Sequence, residues 1–170
     1  AVGERLGGVD VLVNNAGVAS SSPLVKITLD EWNRVLGTIA TGTFLCTREF
    51  LPGMLERGFG RIVNVASVAG LDGAKYIAHY SAAKHAVIGL TRTAALEVGG
   101  TGVTVNAVCP AYVDTAMTER TVANVQARTG MARDAALKAV AGPTGQHRLV
   151  TPGGAGRAPE ADVARPADLA

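Results

Sequence analysis

Apolar residues recur along this chain in two rhythms. Three short apolar runs, at residues 9–14, 61–66 and 103–108, have the length of buried strands. Each empties into small or polar residues: Asn14-Asn15-Ala16-Gly17 after the first, Ser67 after the second, Cys109-Pro110-Ala111 after the third. Longer segments lie between them. Thr28-Leu29-Asp30-Glu31 has the form of a capping box, which predicts a helix from there to about Arg57. That helix carries Trp32, Val35, Leu36, Phe44 and Leu45 and is expected to bend near Gly37 and Gly42. A second helix is predicted over residues 79–98, stopped by Gly99-Gly100, and shorter ones over 117–128 and 133–140. Met117, Val122 and Val125 in the first of these short helices are expected to pack and not to bind. Residues 1–8 read as the end of a helix closed by Gly7-Gly8. Strands alternating with helices indicate an α/β fold with a parallel sheet and right-handed crossovers.

The pattern stops near the C-terminus. Residues 152–170 are mostly alanine, glycine and proline with no period, and are expected to form a disordered tail on a domain of residues 1–151. The change is abrupt enough to suggest a shifted reading frame. At the other end, a chain that opens on a helix tail and a buried strand is expected to be truncated, leaving the Val11-Leu12-Val13 edge as an aggregation hazard.

Composition narrows the class. A chain of 170 residues, 48% apolar and with a net charge of +2, has the character of an ordinary globule. It carries no basic stripe for nucleic acid, and no apolar run nears the roughly 20 residues that span a bilayer. Cys46 and Cys109 stand far apart, as in a reducing compartment, so a cytoplasmic location is expected. His79, His85 and His147 have no metal-ligand spacing, and no metal is expected.

Candidate chemistry sits in residues 67–84. Tyr80 and Lys84 fall at i and i+4 on one face of the predicted helix, with Ser67 thirteen residues before the tyrosine. An ammonium held close to a phenol favours the phenolate and moves its pKa toward neutrality, which suits proton exchange with a substrate oxygen. A serine hydroxyl nearby could hold that oxygen. The plain alternative is an exposed helical pair with no chemistry. A serine hydrolase is a poor fit, because Ala66-Ser67-Val68-Ala69-Gly70 lacks the first glycine of G-x-S-x-G.

Over about residues 2–152 the sequence resembles the ordinary short-chain dehydrogenase/reductases. The motifs are Asn14-Asn15-Ala16-Gly17, Ser67, Tyr80-x-x-x-Lys84, and Asn106-Ala107-Val108-Cys109-Pro110 followed by Thr115. The resemblance implies part of a Rossmann-like doubly wound sheet and an NAD- or NADP-dependent interconversion of a secondary alcohol and a ketone. It implies Ser67, Tyr80 and Lys84 as the catalytic residues. It implies Asn14, Asn15, Ala16, Gly17, Tyr80, Lys84, Pro110, Val113 and Thr115 as the cofactor-binding ones. Val113 would meet the carboxamide through its backbone and Thr115 would lie near the phosphates. A small carbonyl or alcohol substrate is implied, possible classes being hydroxyacyl thioesters and small hydroxy acids, and with it a homodimer or homotetramer.

Two positions depart from the family. Ile39 stands where it has an asparagine that helps relay protons, and Ala111 where it more often has glycine. Its glycine-rich pyrophosphate loop is also absent: Gly99-Gly100-Thr101-Gly102 follows a helix, and Gly153-Gly154-Ala155-Gly156 follows no strand. The second expectation is therefore a non-catalytic remnant that at most associates with intact relatives.

Overall fold

The computed structural model describes residues 7–141 and residue 149. The expected helix tail before Gly7 and the tail at 152–170 lie outside the described residues. The elements run β1 (Val11–Asn14), α1 (Leu29–Leu36), α2 (Gly42–Arg57), β2 (Gly60–Val65), α3 (Ala78–Glu97), β3 (Val103–Val108), α4 (Ala116–Thr129) and α5 (Arg133–Ala141). Short 3-10 turns occupy Leu24–Lys26 and Val68–Gly70.

The three strands form one parallel sheet in the order β1-β2-β3. Leu12 pairs with Ile62, which pairs with Val105, and Asn14 pairs with Asn64, which pairs with Ala107. Because side chains alternate along a strand, this register turns Leu12, Asn14, Ile62, Asn64, Ala66, Val103, Val105 and Ala107 to a single face. Helices α2 and α3 cover it. Toward its amino end Met54, Ala94 and Val98 pack on Ile62, Val103 and Val105. Toward its carboxyl end Val35, Ile39, Ala83, Val87 and Ile88 pack on Ala66, Ala107 and Cys109. Val11 and Val13 point the other way and remain more than half exposed, at 57% and 56%.

Local chemistry explains the helix limits. The Thr28 hydroxyl accepts from the Glu31 amide and caps α1. Where the sequence suggested a bend, residues Gly37–Thr41 form a widened π turn between α1 and α2. Within it Ile39 is buried, and its carbonyl accepts from the Thr43 hydroxyl at 2.7 Å. Gly58 closes α2 in the left-handed conformation (φ 67°). In α4, Val122 is buried, Val125 is half-buried, and Met117 is 40% exposed.

A buried polar chain ties these layers together. Asn14 Nδ2 donates to Asn64 Oδ1 at 2.8 Å and to Thr47 Oγ1 at 3.3 Å. Asn64 Nδ2 donates to Thr91 Oγ1 at 2.8 Å, and that hydroxyl donates to the Val87 carbonyl. Two strands and two helices meet in this chain, and Asn64 at its middle has no exposed surface. Replacing Asn64 by alanine leaves Asn14 with Thr47 alone and takes from the Thr91 oxygen its donor. Asn64→Ala is expected to lower the unfolding free energy by about 2–4 kcal/mol in denaturant titration; a loss under about 0.5 kcal/mol would count against the chain as a structural tie.

Candidate active site

The carboxyl ends of all three strands open on the same edge of the sheet, the usual position for ligands in open α/β folds. Asn15, Ala16 and Gly17 leave β1 there with exposed surfaces. Ser67 leaves β2 and residues 109–115 leave β3. Two backbone bonds continue the β2–β3 pairing past the strands and hold Ser67 between them: Ala66 N–H to the Val108 carbonyl at 2.8 Å, and Val68 N–H to the Pro110 carbonyl at 3.1 Å. The Ser67 hydroxyl accepts from the Ala69 amide and so begins the turn Val68–Gly70.

That turn lies directly on α3. A Cβ added at Gly70 would stand 2.9 Å from the backbone carbon and oxygen of Lys84, a contact only glycine avoids here. The close approach brings the Ser67 loop to the helix turn that holds Tyr80 and Lys84. The Ser67 hydroxyl lies near enough to the Tyr80 phenol to lower its pKa, and Tyr80 is half-buried against the carboxyl-end core. Lys84 Nζ lies 5.7 Å from the Tyr80 ring centroid and donates to the Val65 carbonyl at 2.6 Å. The three residues singled out in the sequence are thus brought together. The plain alternative of an exposed helical pair is excluded, since Lys84 is only 4% exposed.

The electrostatics differ from expectation. Burial raises the Tyr80 phenol above its ordinary value; the Ser67 hydroxyl opposes this, and the nearby Tyr112 adds to it. Lys84 is not among the causes, because its ammonium is drawn to the Val65 carbonyl instead. The expected lowering of Tyr80 by Lys84 is therefore corrected. Lys84 itself is pulled from 10.5 down to about 8 by burial, with Cys109 opposing the shift. Tyr112, half-buried beside Tyr80 and itself raised by burial, was not found in the sequence, where an aromatic after Pro110-Ala111 carries no signal.

Other expected residues take structural positions. Asn14 turns inward to the Asn64 chain. The Pro110 carbonyl receives the Val68 amide, and the Val113 carbonyl receives the Thr118 hydroxyl at 2.6 Å. Thr115 caps α4 by accepting from the Thr118 amide. Among the described residues no cluster of three His, Cys, Asp or Glu side chains could hold a metal, and no helix is long and apolar enough to cross a membrane.

A parallel α/β sheet with serine, tyrosine and lysine joined at its carboxyl edge defines a class of protein, and comparison with known proteins gives the family. The family model described as short chain dehydrogenase matches residues 1–126, and the chain belongs to that family. D-beta-hydroxybutyrate dehydrogenase of Rhizobium meliloti (strain 1021) is 43% identical over 128 residues, covering 75% of this chain and 49% of that protein. The 3-oxoacyl-[acyl-carrier-protein] reductase of Synechocystis sp. (strain ATCC 27184 / PCC 6803 / Kazusa) is 47% identical over 116 residues, covering 68% and 47%. Among solved structures, an actinorhodin polyketide ketoreductase with NADPH superposes with a TM-score of 0.82 at 41% identity, over 92% of this chain and 60% of that one. A 4-hydroxyisoleucine dehydrogenase complexed with NADH gives 0.64 at 33% identity, over 73% and 55%. The chain spans about half the length of the curated relatives it matches.

The Lys84 shift has a sign that can be tested. A lysine whose pKa is lower in the folded chain disfavours folding most below about 8, where both states are protonated. Between about 8 and 10.5 the unfolded chain holds a proton that the folded one has released, so stability rises with pH. The stability of the wild type relative to Lys84→Met should rise across that window in thermal melts. A flat difference would contradict a buried ammonium.

Proposed function

We propose that this chain carries the catalytic half of an oxidoreductase that interconverts a secondary alcohol and a ketone using NAD or NADP. The observation that carries the reading is the meeting of Ser67, Tyr80 and the buried Lys84 at the carboxyl edge of a parallel sheet. Family membership and the NADPH- and NADH-bound structural neighbours support it.

The residues present fit the nicotinamide end of such a cofactor. Exposed Asn15, Ala16 and Gly17 offer small side chains and free backbone on the edge where Tyr80 stands, and Tyr80, Lys84 and residues 110–115 border the same edge. The cofactor, when bound, supplies or accepts the hydride. Tyr80 moves the proton at the substrate oxygen. Its raised pKa keeps the phenol protonated at neutral pH, the form that donates as a ketone is reduced. Ser67 orients that phenol and holds the same oxygen. Lys84, bound to the Val65 carbonyl, ties α3 to the strand end that carries Ser67 and keeps its ammonium 5.7 Å from the Tyr80 ring centroid. Relatives named for hydroxybutyrate, acetoacetyl-CoA and 3-oxoacyl groups favour a small hydroxy acid or an acyl thioester as substrate. Exposed Phe44 and Leu45 on α2 fit a homodimer or homotetramer contact.

Titration of the 170-residue chain with NADH and NADPH is expected to give micromolar binding of one of them, read by nicotinamide fluorescence. With a family N-terminal half joined to the chain, Tyr80→Phe should retain that binding and lose roughly 10²–10⁴-fold in turnover of 3-oxoacyl thioesters. No binding and no turnover by the joined protein would favour the non-catalytic remnant.

A further inference from the structure

One residue before Tyr80, the His79 imidazole is completely buried. Its Nε2 lies 2.7 Å from the Ser20 hydroxyl, in the loop after β1, and 3.9 Å from a carboxylate oxygen of Glu31 in α1. The Ser20 hydroxyl and the His79 charge both lower the Glu31 pKa. With the Ser20 proton turned to that carboxylate, which can only accept, Ser20 Oγ accepts from His79 Nε2–H. The imidazole is then neutral, and Nδ1 is a bare acceptor. Nδ1 is buried without a hydrogen-bond partner, so a second proton there would find no acceptor. The charged groups facing the ring, Glu31 and Arg34 of α1, act in opposite directions, and burial prevails in lowering the His79 pKa.

The trio has the residue types of a nucleophilic triad but the wrong arrangement. The carboxylate lies on the same ring nitrogen as the serine, and no acid orients Nδ1. A hydrolytic site is excluded, and a mechanical role remains. Two further contacts converge on the same place. The Ser22 amide donates to the Tyr76 carbonyl at 2.7 Å, and Tyr76 is held at φ 69°, a strained value for an aromatic residue. Val18, from the same loop, packs on the core cluster that supports Tyr80.

We propose that Ser20, His79 and Glu31 form a positioning latch that pins the first turn of α3 to the loop after β1 and to α1, and thereby seats the Tyr80 phenol on the Ser67 hydroxyl. The inference rests on the reading of Tyr80 as the proton-transfer residue. Glu31 orients Ser20, Ser20 receives His79, and the rigid helix carries the constraint to the next residue. His79 touches neither substrate nor cofactor.

The test follows the titration midpoint of Tyr80 in the 170-residue chain by NMR of ζ-13C-labelled tyrosine, with the resonance assigned by Tyr80→Phe. Ser20→Ala and His79→Leu are expected to unseat the phenol from Ser67 and raise the midpoint by about 0.5 unit or more. His79→Gln, whose amide N–H reaches the Nε2 position, should restore it. Met54→Ala, in the distant amino-end core, should lower the melting temperature and leave the midpoint in place. A wild-type midpoint in Ser20→Ala overturns the proposal, as does an equal displacement in Met54→Ala. Ser20→Ala decides alone where His79→Leu does not fold. No cofactor enters the measurement, so failure of NAD(P)H binding leaves its outcome intact.

Discussion

The structure depends on one buried amide. Asn64, near the carboxyl end of the middle strand, accepts from Asn14 of β1 and donates to Thr91 of α3, while Asn14 also reaches Thr47 of α2. An apolar side chain at that point would pack equally well in several registers. A carboxamide with one donor end and one acceptor end is satisfied in only one, because each buried group left unpaired is costly. The register so fixed sends Asn15, Ser67 and Pro110 out of the same edge of the sheet. The site follows from that alignment.

The burial of Lys84 and the seating of Tyr80 belong together. Lys84 is 4% exposed, and its Nζ takes the Val65 carbonyl at the last position of β2, two residues before Ser67. The helix is thereby tied to the strand end that delivers the serine. The same enclosure weakens the hold of both side chains on their charged forms, lowering the lysine and raising the tyrosine. The resting site therefore favours an uncharged phenol beside an ammonium ready to give up its proton.

Most of the architecture was legible in the sequence, for local reasons. Thr28 caps where its hydroxyl and the following acids required, α2 ends at Arg57 as expected, and the stretch between Gly37 and Gly42 became a π turn. Helix α3 runs from Ala78 to Glu97 against an expected 79–98, and α4 and α5 lie within a residue or two of their predicted ends. The grouping of Ser67, Tyr80 and Lys84 was legible through motif spacing. Partners chosen across the fold were not. Nothing in the sequence near Asn14 says that its side chain turns in to Asn64, and nothing near His79 says that it meets Ser20 across 59 positions. The Tyr80 pKa was misjudged for a related reason: helical spacing puts a lysine beside a tyrosine but does not reveal the carbonyl that claims its ammonium.

The parallel sheet also sets the order in which the molecule can form. Asn14 and Asn64 are 50 positions apart, and neither β1–β2 nor β2–β3 can pair before a helical crossover has folded back on the sheet. Pairing over such separations is slow compared with the helix-coil step that makes α3. The helix bearing Tyr80 and Lys84 therefore exists in transient form before there is a Val65 carbonyl to receive the ammonium. The reactive centre, assembled where three strand ends meet, is among the last parts of the chain to acquire its shape.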